Sequence, residues 1–179
     1  MVKVESRKFK LCVKHLEVGQ NILLSGKIFT ARDQAHARIA KMIEKCEKLP
    51  FEIENSVIYY TGPSPTPQGE VIGSCGPTTS QRMDRFAPKF YELGMVASIG
   101  KGDRSHEVYQ TISKNRGVYF AAFGGAGALY AKCVKSVRNI AFEDLGTESV
   151  KEICVENMPL VVAIDSNGKS IFKNKLKKI

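Results

Sequence analysis

Three glycine-rich turns stand beside predicted strands, and each could bring backbone close to a ligand. They are Gly73–Thr79, Gly100–Gly102 and Gly124–Gly127. A glycine has no side chain to hold a ligand away, and a helix that begins after such a turn presents free N–H groups to an anion. The third turn has no GxGxxG pattern with an acidic residue downstream, so tight packing of strand on helix explains it better than dinucleotide binding does.

The first of these turns carries the richest set of polar groups. Thr78, Thr79 and Ser80 place three hydroxyls where a helix is predicted to start, and Arg82 follows closely. Hydroxyls together with a guanidinium bind a carboxylate or a phosphate well. The plainer interpretation is an ordinary Thr/Ser helix cap followed by a surface arginine. The motif alone does not decide between the two.

Two further cations stand at the ends of predicted strands. Lys101 lies between two glycines and offers a mobile ammonium group. Arg32 precedes Asp33, which is predicted to cap the next helix, so Arg32 either pairs with a nearby carboxylate or serves as a second anion clamp. His36, in the first turn of that helix, is interpreted as a hydrogen-bonded structural residue rather than a catalyst.

A sheet with helices packed on it must position these residues. Apolar periodicity predicts strands at 8–13, 21–30 with a kink at Gly26, 57–60, 95–99, 118–123, 134–141, 160–165 and 170–172. It predicts helices over 33–48, 80–93 and 105–116, and from the third glycine turn to about 133. Strands alternate with helices in the middle and pair as hairpins at both ends. This order predicts one α/β domain, over 1–179, with a mixed sheet and packed helices.

Composition and charge narrow the classes of protein. Hydrophobic residues make up 43% and charged residues 25%, which is ordinary for a globular protein. No apolar run approaches the roughly 18–20 residues that span a bilayer, and the first residues lack the features of a signal peptide, so we expect a cytoplasmic protein away from membranes. The net charge of +9 indicates an anionic partner, but aromatic residues are only 8%. A nucleic-acid-binding module usually offers more stacking rings, and the basic tail at about 173–179 is expected to be flexible and solvated.

The five cysteines show no metal-site spacing. There is no CxxC pair and no cluster with histidine, which argues against a metal site in this chain. Cys12, Cys133 and Cys154 stand among apolar residues and are predicted to be small core side chains. Cys75 lies in the first glycine turn and could line a site.

Four motifs occur in a fixed order along the chain. They are TARDQAH at 30–36, GPTTSQRMD at 76–84, IGKGDRS at 99–105 and GGAGA at 124–128, followed by the strand MPLVVAID at 158–165. Together they resemble the β subunit, or C-terminal domain, of the iron–sulfur class I fumarate hydratases and L-tartrate dehydratases. The resemblance covers about residues 5–173. Each motif alone is weak, whereas four in order are specific.

The resemblance implies a fold, a partner and a set of site residues. It implies a swivelling β/β/α domain that packs against a separate α subunit, in a hetero-oligomer such as α2β2. That α subunit carries three cysteines that bind a 4Fe–4S cluster, whose open iron acts on the substrate hydroxyl. Matched residue by residue, Thr78 corresponds to the proposed catalytic base of the family. The substrate-binding residues of the family correspond here to Arg32, Thr79, Arg82 and Lys101.

The expected function is therefore that of a hydro-lyase subunit, inactive alone, which interconverts fumarate and L-malate. The same motifs serve an L-tartrate dehydratase that yields oxaloacetate, and this alternative stays open. A basic nucleic-acid-binding module is the alternative from another class. If the substrate is a small dicarboxylate, then Arg32, Thr78, Arg82 and Lys101 must converge at one edge of the domain.

Overall fold

The computed structural model describes residues 1–172. The tail predicted to be flexible, at 173–179, lies outside these residues. The strands are β1 (Val2–Glu5), β2 (Asn21–Thr30), β3 (Val57–Tyr59), β4 (Ala97–Gly100), β5 (Val118–Ala121), β6 (Val134–Ala141) and β7 (Val150–Ile164). The helices are α1 (Phe9–Cys12), α2 (Asp33–Glu44), α3 (Ala87–Glu92), α4 (His106–Asn115) and α5 (Gly127–Cys133). Short 3-10 turns occupy Ser6–Lys8, Val13–His15, Ser80–Met83 and Glu143–Glu148.

The strands form one mixed seven-stranded sheet in the order β1-β2-β3-β4-β5-β7-β6. Strands β1 to β5 pair in parallel, whereas β7 runs antiparallel to β5, β6 and β2. Because β7 pairs with both β5 and β2, the strands β2, β3, β4, β5 and β7 close into a ring. The prediction of an α/β fold with a mixed sheet and packed helices is confirmed.

Side chains that alternate along the strands build two cores, one on each face of the sheet. In β3, Val57 and Tyr59 belong to one core, while Ile58 and the following Tyr60 belong to the other. The second core is covered by the apolar sides of α2, α3 and α4. Both faces of the parallel strands are thus buried, as is usual when crossover helices cover the sheet.

The N-terminal segment differs from its prediction. Residues 8–13 were expected to form a strand, but Phe9–Cys12 is helical and the first strand is Val2–Glu5, which pairs in parallel with β2 rather than as a hairpin. Phe9 and Val13, four residues apart, are both buried, whereas Leu11 is exposed. The apolar spacing therefore satisfies a helical period as well as an alternating one, and burial favours the helix.

Two predicted helices are shorter than expected. The helix predicted over 80–93 is divided into the 3-10 turn Ser80–Met83 and α3, because Pro88 has no N–H and fits only the first turn of a helix. Helix α2 ends at Glu44 rather than at 48, and Cys46 takes a left-handed backbone conformation beyond it.

The remaining strands match their predictions closely, with two exceptions. The kink predicted at Gly26 is confirmed, since β2 has an irregularity between Leu24 and Gly26. Strand β7 begins ten residues before the predicted strand at 160–165. Polar residues in this stretch obscure the alternation of apolar and polar side chains that would have predicted a strand. The strand predicted at 170–172 is reduced to one bridge between Ser170 and Ile164. Within residues 1–172 we find no helix that combines the length and apolarity needed to cross a membrane.

Candidate active site

The carboxyl ends of four parallel strands meet at one edge of the sheet, which we call the carboxyl edge. It is formed by the residues that directly follow β2, β3, β4 and β5. Ligands bind at the carboxyl ends of parallel strands, in open sheets and in closed barrels alike. Arg32 follows β2 and Lys101 follows β4, so the topology brings these two cations to the same edge.

The segment Thr78–Thr79 lies between the extensions of β3 and β4. The Thr78 N–H donates to the carbonyl oxygen of Tyr60 at 2.7 Å, and the Lys101 N–H donates to that of Thr78 at 3.1 Å. The Ser80 N–H in turn donates to the Lys101 carbonyl oxygen at 2.9 Å. Thr79 and Lys101 are thus paired like residues of neighbouring parallel strands. The proposed base and a proposed carboxylate-binding lysine are held side by side by backbone bonds.

Ion pairs join the two arginines to each other, and a backbone bond joins Arg82 to the threonine segment. The Arg82 N–H donates to the carbonyl oxygen of Thr79 at 3.4 Å. The Arg82 guanidinium, half exposed, donates to the Asp33 carboxylate. Arg32 lies with its Nε 3.8 Å from Asp33 Oδ1 and its Nη2 3.4 Å from Glu148 Oε1. Asp33 thus contacts both arginines.

The sequence alone did not identify Asp33 or Glu148 as partners of the two arginines. Asp33 was predicted to cap α2, but the N-cap is Arg32 and its side chain makes no capping bond, while Asp33 reaches Arg82. The sequence did contain a signal for this pairing, because an acidic residue next to Arg32 is an available partner. Glu148 is more than a hundred residues from Arg32 in sequence, and no local pattern indicates that the two meet.

The structure therefore places all five predicted site residues, Arg32, Thr78, Thr79, Arg82 and Lys101, along one connected set of contacts at the carboxyl edge. Thr79, Arg82 and Lys101 are exposed, whereas Arg32 is largely shielded. Three cations, two of them already paired with Asp33 and Glu148, stand beside two threonines, and this set of donors suits a small dianion that competes for the arginines. The edge is open to solvent at Thr79, Arg82 and Lys101.

Close backbone approach at the glycine turns builds this edge. A Cβ atom on Gly100 would lie 2.0 Å from Ser80 Oγ, and one on Gly127 would lie 2.9 Å from the backbone nitrogen of Gly76. Gly124 is less constrained, with Lys101 Cδ at 3.8 Å as its nearest contact. The third turn was predicted to pack a strand on a helix, but Gly127 packs instead against the loop of the first glycine turn.

His36 lies in the core beneath Arg32. Its Nδ1 is 2.8 Å from the carbonyl oxygen of Arg32, so Nδ1 carries the proton and donates. The rings of Tyr60, Phe86 and Phe90 surround the imidazole. Burial lowers the pKa of His36 to about 4, so the ring is neutral near pH 7. These contacts match the predicted structural interpretation of His36.

This burial makes folding stability depend on pH. The pKa of His36 is about 4 in the folded chain and 6.5 when it is exposed, so the unfolded chain binds more protons between these values. We expect His36 to contribute stability above pH 6.5 that is lost as the pH falls toward 4, by about 3 kcal/mol in total. Urea unfolding of the chain at several pH values measures this loss.

A matched pair of variants isolates the contribution of His36. His36→Gln flattens the dependence of unfolding free energy on pH over that window, whereas His15→Gln, at an exposed position, leaves it as in the wild type. An equally steep dependence in His36→Gln would show that other groups cause it.

The cysteines do not reach the carboxyl edge as ligands. Cys75 is fully buried, and burial raises the pKa of its thiol to about 12, so it does not line the exposed surface. Cys133 is buried as predicted and Cys12 is half-buried, but Cys154 is exposed, so its prediction as a core residue was wrong. Its neighbours Ile153 and Val155 point inward, and strand alternation turns Cys154 outward. In the part of the chain that the structure describes, no three His, Cys, Asp or Glu side chains are grouped as metal ligands.

Comparison with known proteins shows which family this sequence matches. The model of the Fumarase C-terminus family matches residues 1–175. A protein of Methanocaldococcus jannaschii named "Putative L(+)-tartrate dehydratase subunit beta" is 44% identical over 173 residues, which cover 93% of this chain and 89% of that protein.

Two longer relatives are fumarate hydratases. Fumarate hydratase 2 of Leishmania major is 39% identical over 161 residues, and the aerobic class I fumarate hydratase of Escherichia coli is 35% identical over 158 residues. The alignments cover 89% and 87% of this chain but only 28% and 29% of those enzymes. The chain belongs to the Fumarase C-terminus family of hydro-lyases, as the β-subunit type of C-terminal domain.

Proposed function

We propose that this chain is the β subunit of an iron–sulfur-dependent hydro-lyase that interconverts fumarate and L-malate. The observation that carries the proposal is the continuous set of contacts joining Arg32, Arg82 and Lys101 to Thr78 and Thr79 at an open edge. Family membership supports lyase chemistry over a nucleic-acid-binding module. We further propose a cytoplasmic enzyme and a swivelling β/β/α domain type.

The three cations hold and stabilise the substrate. Fumarate and malate are dianions, so Arg32, Arg82 and Lys101 offer charges for both carboxylates. Removal of a proton from C3 of malate puts further negative charge on the adjacent carboxylate. Cations already aimed at that carboxylate stabilise the transition state more than the ground state. The carboxylates of Asp33 and Glu148 orient the two guanidinium groups before the substrate arrives.

Thr78 is the proposed base, with Thr79 beside it as a substrate-binding hydroxyl. A threonine hydroxyl is a poor base at its usual pKa and requires neighbouring positive charge to lower it. The Lys101 backbone is bonded to that of Thr78, so the ammonium group of this flexible side chain is within reach of the hydroxyl. The proton leaves C3 for Thr78 Oγ during dehydration and returns from it during hydration.

The remaining chemistry comes from a partner. We propose that a separate α subunit binds a 4Fe–4S cluster and closes over the carboxyl edge, in a hetero-oligomer such as α2β2. When bound, the cluster supplies an open iron that acts as a Lewis acid on the substrate hydroxyl. The lengths of the fumarate hydratases support a second component, because this chain spans less than a third of them.

An exposed apolar pair marks where that partner would dock. Phe123 and Leu129, which flank the third glycine turn, are 52% and 50% exposed. Buried apolar anchors dominate binding at interfaces. We expect the double variant Phe123→Asp, Leu129→Asp to weaken binding of the cluster-bearing subunit by about 100-fold. Calorimetric titration under anaerobic conditions measures this affinity.

The control for that experiment is Leu11→Asp. Leu11 is 75% exposed on α1. Lys10 of this helix lines a cavity together with Val96, which directly precedes β4, so α1 lies near the opposite edge of the sheet. This variant should bind the partner as the wild type does. Unchanged affinity in the double variant would place the interface elsewhere.

L-tartrate dehydration is the second candidate function. It is favoured by the Methanocaldococcus jannaschii relative, whose length matches this chain. The test is anaerobic co-purification with a cluster-bearing α subunit, followed by side-by-side assays of fumarate hydration and L-tartrate dehydration. A higher kcat/KM for fumarate supports the first proposal, and a higher value for L-tartrate selects the second. Activity on neither substrate would refute both.

A further inference from the structure

A buried polar group lies directly beneath the two site segments. The hydroxyl of Tyr119, in β5, donates to the carbonyl oxygen of Gly102 at 2.8 Å and lies 2.9 Å from Ser80 Oγ. A hydroxyl has a single proton, so Ser80 donates to Tyr119. Ser80 follows Thr79 and Gly102 follows Lys101. One buried hydroxyl thus joins the segment that carries the proposed base to the segment that carries the lysine.

A buried ion pair holds the Tyr119 ring. The Arg104 side chain is fully buried, and its Nε donates to Asp84 Oδ1 at 2.6 Å while Nη1 donates to Ser98 Oγ at 3.0 Å. The guanidinium carbon lies 4.9 Å from the centre of the Tyr119 ring and 5.4 Å from that of Tyr60. A cation over aromatic faces is attracted to both rings.

The same ion pair links further backbone of the site. Asp84 stands two residues after Arg82 in the sequence. Its Oδ2 accepts a hydrogen bond from the N–H of Ser105 at 2.5 Å. Tyr60, the other ring in contact with Arg104, supplies the carbonyl oxygen that Thr78 uses. The segments bearing Thr78, Arg82 and Lys101 therefore all connect to one buried cluster.

Stability alone does not account for this arrangement. Burial of an ion pair carries a desolvation cost, and apolar side chains of similar size are often at least as stable. A phenylalanine ring would also fill the space of Tyr119. What the hydroxyl and the ion pair add is a fixed geometry between two segments that come from different parts of the chain.

We infer that Tyr119, held by the buried Arg104–Asp84 pair, is a positioning residue that sets the placement of Thr78 and Thr79 relative to Lys101. It touches no substrate and acts through Ser80 and Gly102. Its effect on catalysis rests on the proposed function, whereas its effect on the two segments does not.

The test compares two buried tyrosines. Tyr119→Phe removes the bonds to Ser80 and Gly102, while Tyr91→Phe removes an equally buried hydroxyl that bonds Ser98 Oγ and the Val118 carbonyl oxygen. In the full chain, we expect amide hydrogen exchange at Ser80 and Lys101 to be about tenfold faster in Tyr119→Phe and within about twofold of wild type in Tyr91→Phe. In the assembled enzyme, we expect Tyr119→Phe to lower kcat/KM about 30-fold, mainly through kcat, and Tyr91→Phe to change it less than about threefold.

Each outcome decides the inference. Unchanged exchange in Tyr119→Phe, or equal effects of the two substitutions on kcat/KM, would overturn it. If the wild-type assembly has no lyase activity, the proposed function fails and the exchange comparison alone judges the positioning. If Tyr119→Phe does not fold, Ser80→Ala removes the bond to Tyr119 and keeps the bond from Tyr119 to Gly102. We then expect exchange at position 80 to be about tenfold faster than in the wild type, and unchanged exchange there would overturn the inference.

Discussion

Thr78→Val lowers kcat of the assembled enzyme by about 10³-fold while KM changes less than about threefold. Valine keeps the shape of threonine, and the bonds from Thr78 to Tyr60 and Lys101 are made by the backbone, so they persist. Only the hydroxyl that receives the C3 proton is lost. Steady-state kinetics of the cluster-loaded complex with fumarate and with L-malate measure the effect.

The matched control is Thr66→Val, which lies exposed in a loop between Pro65 and Pro67. It keeps the wild-type kcat. Turnover of Thr78→Val within about threefold of wild type would remove Thr78 as the base and leave its segment a purely structural extension of the sheet.

Lys101→Met lowers kcat/KM for fumarate by about 10³-fold. The side chain is exposed and its backbone makes the pairing with Thr78 and Ser80, so the fold tolerates the change. The lost ammonium group removes positive charge both from the substrate carboxylate and from the neighbourhood of the Thr78 hydroxyl. Lys101→Arg keeps the positive charge but places it on a planar guanidinium group, so its kcat/KM lies between those of Lys101→Met and the wild type.

Lys48→Met, an exposed lysine beyond α2, serves as the control and keeps the wild-type kcat/KM. Equal kinetics in the Lys101 and Lys48 variants would show that net charge steers the dianion to the enzyme but that no particular lysine binds it.

The parallel core of the fold was predictable from local sequence. Strands β3 to β5 were predicted because short apolar runs end at glycines or turns. The antiparallel strand β6 also matches its predicted bounds. The prediction of secondary structure was wrong where the same residues fit both a strand period and a helix period. Residues 8–13 satisfied both alternation and a helical spacing, and only burial of Phe9 with Val13 decided between them.

The cations of the site were predictable, but the groups that orient them were not. Arg32, Arg82 and Lys101 stand beside glycines and strand ends, where residue type and position are informative. Glu148 reaches Arg32 only because β7 returns antiparallel along β2. No local pattern in the sequence encodes such a long-range contact, nor the meeting of Tyr119 with Ser80.

The structure shows where part of the net charge of +9 lies. Three of the cations lie at the carboxyl edge, where the carboxylates of Asp33 and Glu148 offset part of their charge, and Arg104 is paired with Asp84 in the core. Much of the other basic surface is solvated, and the lysines at 173–179 lie outside the described residues. The excess positive charge suits attraction of a dianion toward the edge.

The most direct test of the central claim is reconstitution of activity from two chains. The rate of fumarate hydration is measured anaerobically for this chain alone, for the cluster-bearing α subunit alone, and for the α subunit titrated with this chain. The site built from both chains predicts no turnover by either alone and a rate that rises with added chain until the two are equimolar. An α subunit that hydrates fumarate equally fast without this chain would contradict the account.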